Sequence, residues 1–146
     1  MLSAMTTYQL RRYILSAASN YLENKILDHV LTATAYTQPS RFLALYTASP
    51  GEAGSHASEV STSGTAYARQ AVTFAAAASG SSATNATVTF PTATANFGTI
   101  THVAVVDSDV EGSGNVLFYG AVTTSKTIET GDTFQVSSGN LTISLD

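Results

Sequence analysis

The densest set of potential ligands in the chain is Asp107-Ser108-Asp109-Val110-Glu111-Gly112. Carboxylates at the first, third and fifth positions, followed by glycine, imitate the front of a calcium-binding loop, where alternate residues of a tight turn aim oxygens at one point. The position that must supply a bidentate Glu is occupied by Phe118, and the flanking segments read as strands rather than helices. The run therefore predicts a solvated acidic hairpin loop with Asp107, Asp109 and Glu111 exposed, and no metal is expected there. Paired carboxylates for glycoside hydrolysis converge from separate elements, whereas these share one loop.

The other reactive residue types are scattered. His29 falls on a helical stretch, His56 in a loop and His102 on a strand, and no two have ligand-pair spacing. His102 reads as a half-buried strand residue on the same face as Ala104 and Val106. Ser55 and His56 are sequence neighbours, a poor arrangement for a base that must reach a hydroxyl. There is no G-x-S-x-G elbow and no glycine loop followed by Lys-Ser/Thr. Cysteine is absent, which removes disulfides and the usual thiolate zinc modules. The triplets Asn85-Ala86-Thr87 and Asn140-Leu141-Thr142 match a glycosylation acceptor but read as chance in a Thr-rich chain. No enzyme activity and no cofactor are expected.

Composition points the same way. The chain has 146 residues, one domain's worth. Charged residues make up 11 %, against roughly a quarter in ordinary soluble domains, and Ser, Thr and Ala take their place. Such a surface is solvated without strong charge and suits packing against copies of itself or other assembly proteins. Residues 1–45 carry Arg11, Arg12, Lys25 and Arg41 against Glu23 and Asp28, while residues 46–146 have a net charge of −6. The acidic body would repel a nucleic-acid backbone, so no nucleic-acid partner is expected. No apolar run is long enough for a membrane span, and Tyr13–Leu15 is too short for the core of a secretion signal.

These residues must be positioned by a small set of elements. Leu15, Ala18, Leu22 and Ile26 recur at helical spacing, and Leu27, Val30 and Leu31 extend the stripe. Asn20 with Glu23, or alternatively Ser16 or Ser19, offers the N-terminal cap, and the helix must end before Pro39. Beyond Pro39 the period changes to two. Arg41–Thr47 is apolar on both faces, which predicts a strand covered on both sides. Residues 51–65 read as a long Gly/Ser/Ala loop and 75–82 as another. Further strands are predicted at 67–74, 84–90, 100–106, 115–122, 126–128, 133–137 and 141–145, with turns at Gly131-Asp132 and Gly139-Asn140. The fold class is all-β: an antiparallel, jelly-roll-like sandwich of about eight strands with a short N-terminal helical segment. The division is an arm and helix over 1–38 and a sandwich over 39–146. Phe74, Phe90, Val103, Val105, Leu117, Phe134, Val136 and Ile143 are the expected core.

Lys25-Ile-Leu-Asp28-His-Val-Leu-Thr32, Tyr36-Thr-Gln-Pro39 and Leu45-Tyr-Thr-Ala-Ser-Pro50-Gly-Glu resemble the opening of a family of small tailed-phage virion proteins. Gly64-Thr-Ala-Tyr67-Ala-Arg69-Gln, Val88-Thr-Phe-Pro91, Phe97-Gly-Thr-Ile-Thr-His102, Leu117-Phe-Tyr-Gly120 and the stretch from Gly131-Asp132 to Leu141-Thr-Ile-Ser-Leu-Asp146 continue the resemblance. It covers roughly residues 20–146, and its motifs are structural. Members are often labelled tail fibre proteins and are similar to β-sandwich cement proteins that sit as trimers on capsids. The resemblance implies a non-enzymatic virion protein, assembled in the host cytoplasm, with itself and the major capsid protein or other virion proteins as partners. Capsid cement is the leading expectation. A tail, baseplate or fibre-associated role, or a carbohydrate- or receptor-binding module, is the alternative. A homotrimer is expected, with Leu15, Leu22, Ile26, Val30, Arg11 and Arg12 at the partner contact.

Overall fold

Ser19 decides where the helix begins. In the computed structural model, which describes residues 6–10, 13–15 and 17–145, its backbone is extended and its Oγ accepts from the Leu22 N–H. The same hydroxyl donates to the Val116 carbonyl, and the Ser19 N–H donates to Leu117 O at 3.0 Å. A side chain that satisfies an orphan helix donor while its own backbone is held in a sheet fixes both the start and the direction of the helix. Helix α1 therefore runs Asn20–Leu31. The stretch before it is extended: β1 is Thr7–Leu10, β2 Tyr13–Leu15 and β3 Ala17–Ala18. Leu15 and Ala18, expected to open the helical stripe, are strand residues instead. Ala17 and Ala18 are already paired with a neighbouring strand, which leaves no room for another helical turn. Arg11 and Arg12 lie outside the described residues.

The remaining strands are β4 (Phe42–Tyr46), β5 (Gln70–Ala71), β6 (Ser81–Ala83), β7 (Val88–Thr89), β8 (Gly98–Val106), β9 (Val116–Ile128), β10 (Thr133–Val136) and β11 (Leu141–Ser144). One sheet has the antiparallel order β3-β9-β8-β4-β5. The opposing layer consists of β1-β10-β7 and β2-β11-β6. Among the described residues this is an all-β sandwich with one short helix. The arm strands add to it in parallel, β1 along β10 and β2 along β11, so the sheets reach into residues 1–38.

Alternation distributes the core. Leu43, Leu45, Val103 and Val105 face inward against Phe90, Phe134, Val136 and Leu141. The intervening Ala44, Tyr46, Ala104 and Val106 form a second buried cluster with Val116 on the sheet's outer face. Both faces of β4 are thus covered, as its apolar-on-both-sides sequence requires. Of the expected core, Phe90, Val103, Val105, Leu117, Phe134 and Val136 are buried, while Phe74 and Ile143 pack against the core half-buried. β9 runs unbroken through Thr123–Ser125, where a break was expected. Exposed β-branched Thr123 and Thr124 suit an open strand surface as well as they suit a loop. β6 begins within the expected 75–82 loop and runs to Ala83, because its backbone pairs with β11. The expected strand over 67–74 contracts to β5.

Candidate interaction surface

The outer cluster is roofed by the loop that follows β4. Leu45 O accepts from the Val60 N–H at 3.0 Å, and Thr47 N donates to Ser58 O at 2.9 Å, which draws residues 58–60 back along β4. This places Glu59 beside Arg69 with both side chains fully buried. Arg69 Nε donates to Glu59 Oε1 and its Nη2 to Oε2, each at 2.7 Å. Such a two-pronged pair is the geometry for which guanidinium is suited. Tyr67 Oη donates to Glu59 Oε1 at 2.9 Å and the Gly112 N–H to Oε2 at 2.9 Å. Arg69 Nη1 donates to the carbonyls of Ser108 and Ser113. Every part of this buried ion pair is satisfied, and it joins the 51–69 loop, the outer face of β4 and the 107–115 hairpin loop.

The electrostatics follow. Burial alone would raise the Glu59 carboxyl, but the Arg69 hydrogen bonds, the Gly112 N–H, the Arg69 charge and the Tyr67 hydroxyl outweigh it and hold the group below its ordinary value. Burial and the adjacent Glu59 push the Tyr67 and Tyr46 hydroxyls well above the usual phenol range. His56 sits at the edge of the network. Its Nε2 faces the Gly114 carbonyl at 3.1 Å, and its Nδ1 lies 2.8 Å from Tyr46 Oη. Since a carbonyl only accepts, Nε2 is the donor in the first contact, and Nδ1 faces both Tyr46 Oη and, at 3.3 Å, Arg69 Nη2. Ser55 Oγ accepts from Ala57 N, not from the imidazole. These side chains are committed to internal bonds that hold the loops against β4 and the hairpin loop.

The acidic hairpin loop is partly a correction. Asp109 is exposed as expected, but Asp107 and Glu111 are half-buried because both carboxylates are occupied. Asp107 accepts from Asn115 N and Nδ2 at 2.6 and 2.8 Å, closing the hairpin. Glu111 Oε2 accepts from the Thr62 N–H and hydroxyl. Among the described residues no three His, Cys, Asp or Glu are grouped to hold a metal. Gly114 makes the tight turn possible. Its φ is +75°, and a Cβ there would meet Asp107 Oδ1 at 2.5 Å and Ser108 Cβ at 2.6 Å. Gly114→Ala is expected to lower stability by about 2–3 kcal/mol, since it adds a left-handed backbone strain to a clash with a fixed carboxylate; a urea melt with an unchanged midpoint would contradict this role for the loop.

The helix shows where a partner could be met. Leu22 is buried in the domain's own core and Ile26 packs against it half-buried. Val30, on the same side one turn further on, is 70 % exposed, and Leu27 and Leu31 flank it at 53 % and 74 %. The stripe therefore divides: its first half anchors the helix and its second half leaves an apolar tip in solvent. Between the helix and β11 runs an apolar groove of about 450 Å³ lined by Leu22, Ile26, Tyr36, Phe74, Ile143 and Leu145, among others. Tyr36 is half-buried in this lining, and its shielded hydroxyl has no hydrogen-bond partner among the described residues. His29 Nδ1 accepts from the Tyr36 N–H at 3.2 Å, tying the segment after the helix back to its last turn. His102 is half-buried on β8, and burial lowers its pKa.

The buried pair was not identified from the sequence, although a signal exists. Glu59 and Arg69 are the only Asp, Glu, Lys or Arg residues between positions 53 and 106. Isolated opposite charges in an uncharged stretch are candidates for each other. Among the described residues no helix is long and apolar enough to cross a membrane. A family model described as Podophage GP4 fiber I protein gp80 matches residues 17–144. No curated protein matches the chain.

Proposed function

The chain belongs to the podophage GP4 fiber I protein gp80 family, and from that membership we propose that it is a non-enzymatic subunit of the fibre apparatus that acts as a homotrimer. That it is a bacteriophage structural protein follows from the family itself. The observation that carries the reading is the extent of the match, which begins at β3 and ends at the last residue of β11. The family unit covers every strand of the sandwich except the arm strands β1 and β2. The side chains agree with a structural role: Glu59, Arg69, Asp107 and Glu111 are all engaged in holding loops. The trimer reading is supported by the exposed Leu27, Val30 and Leu31 tip, and by the preference of repeated subunits for closed cyclic symmetry.

Capsid cement is the second reading. The lightly charged Ser/Thr coat favours it, because such a surface suits many equivalent seats on a shell, with the major capsid protein as the partner. Gold-labelled antibody against the chain, applied to intact particles, separates the two. Label confined to the tail supports the fibre reading, and label spread over the head supports cement.

A further inference from the structure

The arm strands make a contact that the chain's connectivity does not demand of its own copy. β1 adds in parallel to β10, pairing Thr7 to Leu10 with Thr133 to Val136, and β2 adds in parallel to β11, pairing Tyr13 to Leu15 with Leu141 to Ile143. A parallel pair cannot be closed by a tight turn, so its partner always arrives from a distance. The Thr133 N–H donates to Thr6 O at 3.0 Å, and the Gln9 side chain bonds those of Gln135 and Ser137. These are strand-edge and exposed amide bonds, and the arm of another copy can make the same set.

The family match starts only at residue 17, so β1 and β2 lie outside the unit the family shares, and Tyr8 of β1 packs half-buried against the core. With the arm removed, β10 and β11 would each keep one neighbour, β7 and β6, and expose an open edge of the kind that recruits foreign strands. Residues 6–16, which precede the β3 that stays paired with β9, span about 35 Å when extended, comparable to the roughly 35 Å width of a body this size. Charge also favours the contact: the arm carries Arg11 and Arg12 with no acidic residue, and residues 46–146 have a net charge of −6.

We propose that the arms are exchanged in the assembled protein, each pairing with β10 and β11 of the next copy around a closed ring. The proposal rests on the homotrimer reading for the existence of a neighbour. Exchange keeps every strand bond of the closed monomer, adds no exposed edge, and makes a head-to-tail contact that closes when the rotation closes.

The chain lacks cysteine, so Gln9→Cys with Gln135→Cys introduces a single possible disulfide between registered partners. After oxidation of the purified full-length protein, exchange gives a covalent trimer on a non-reducing denaturing gel, converted to single chains by reductant. A trimer in solution whose chains run singly, with the disulfide formed, overturns exchange and leaves the homotrimer standing. A monomer with an internal disulfide overturns both. Failure of the pair to oxidise also counts against exchange, as does equal linkage in Gln9→Cys alone.

Discussion

Arg69→Met is expected to lower stability by about 3–5 kcal/mol, because it leaves the Glu59 carboxylate buried without its counter-charge. For a chain of this length that corresponds to a fall in Tm of roughly 10–15 °C. The loss is not that of a surface ion pair, since both side chains are fully buried and Arg69 also holds the Ser108 and Ser113 carbonyls. Glu59→Gln combined with Arg69→Met should cost clearly less than the sum of the two single changes, because neither variant charge is then stranded. The pH dependence has a definite sign. In the native protein Glu59 is held below the ordinary carboxylate value, so its contribution is complete above about pH 4.3 and is lost as pH falls through the lowered value. In Arg69→Met burial dominates and the carboxyl rises instead. The deficit of the variant is then greatest at neutral pH and shrinks in acid. Urea melts between pH 3 and 7 test this, and a deficit that does not depend on pH would show that Glu59 does not carry the effect.

Leu22→Asp and Val30→Asp are expected to separate folding from association. Leu22 is 5 % exposed and packs in the domain core, so a carboxylate there should cost at least about 3 kcal/mol. The variant should melt early or fail to fold. Val30 is mostly exposed, so Val30→Asp, alone or with Leu31→Asp, should change the melting of the isolated domain by no more than about 0.5 kcal/mol. Its effect should fall on association: sedimentation should show the folded variant shifted toward single chains. A Val30→Asp, Leu31→Asp variant that remains fully associated would remove the helix tip from the interface.

What depends on short-range pattern was legible in the sequence. Apolar residues on both faces of Phe42–Tyr46 require two covered sides, and two buried clusters cover them. Ser19 was one of three candidate caps, and it is the one whose hydroxyl also reaches β9. What depends on the chain returning to itself was not legible. Nothing local in Ser58-Glu59-Val60 says that the loop folds back over β4, and the Glu59–Arg69 pair exists only after it does. The arm is a similar case. Its alternation is weak, and its strands are specified by the open edges of β10 and β11 more than 120 positions away. Periodicity also could not divide the helical stripe. Leu22 and Val30 share a spacing, but only the first faces the sandwich, because the helix extends past the sheet that covers it.

The central claim is that this chain is a structural component of the virion with a place in the fibre apparatus. Its copy number in purified particles tests that most directly, measured against the major capsid protein by quantitative mass spectrometry of intact virions. The chain is expected to co-purify at a low multiple of three per particle, a small fraction of the capsid protein. Near-equality with the capsid protein would contradict the fibre reading in favour of cement, and absence from purified particles would contradict the claim itself.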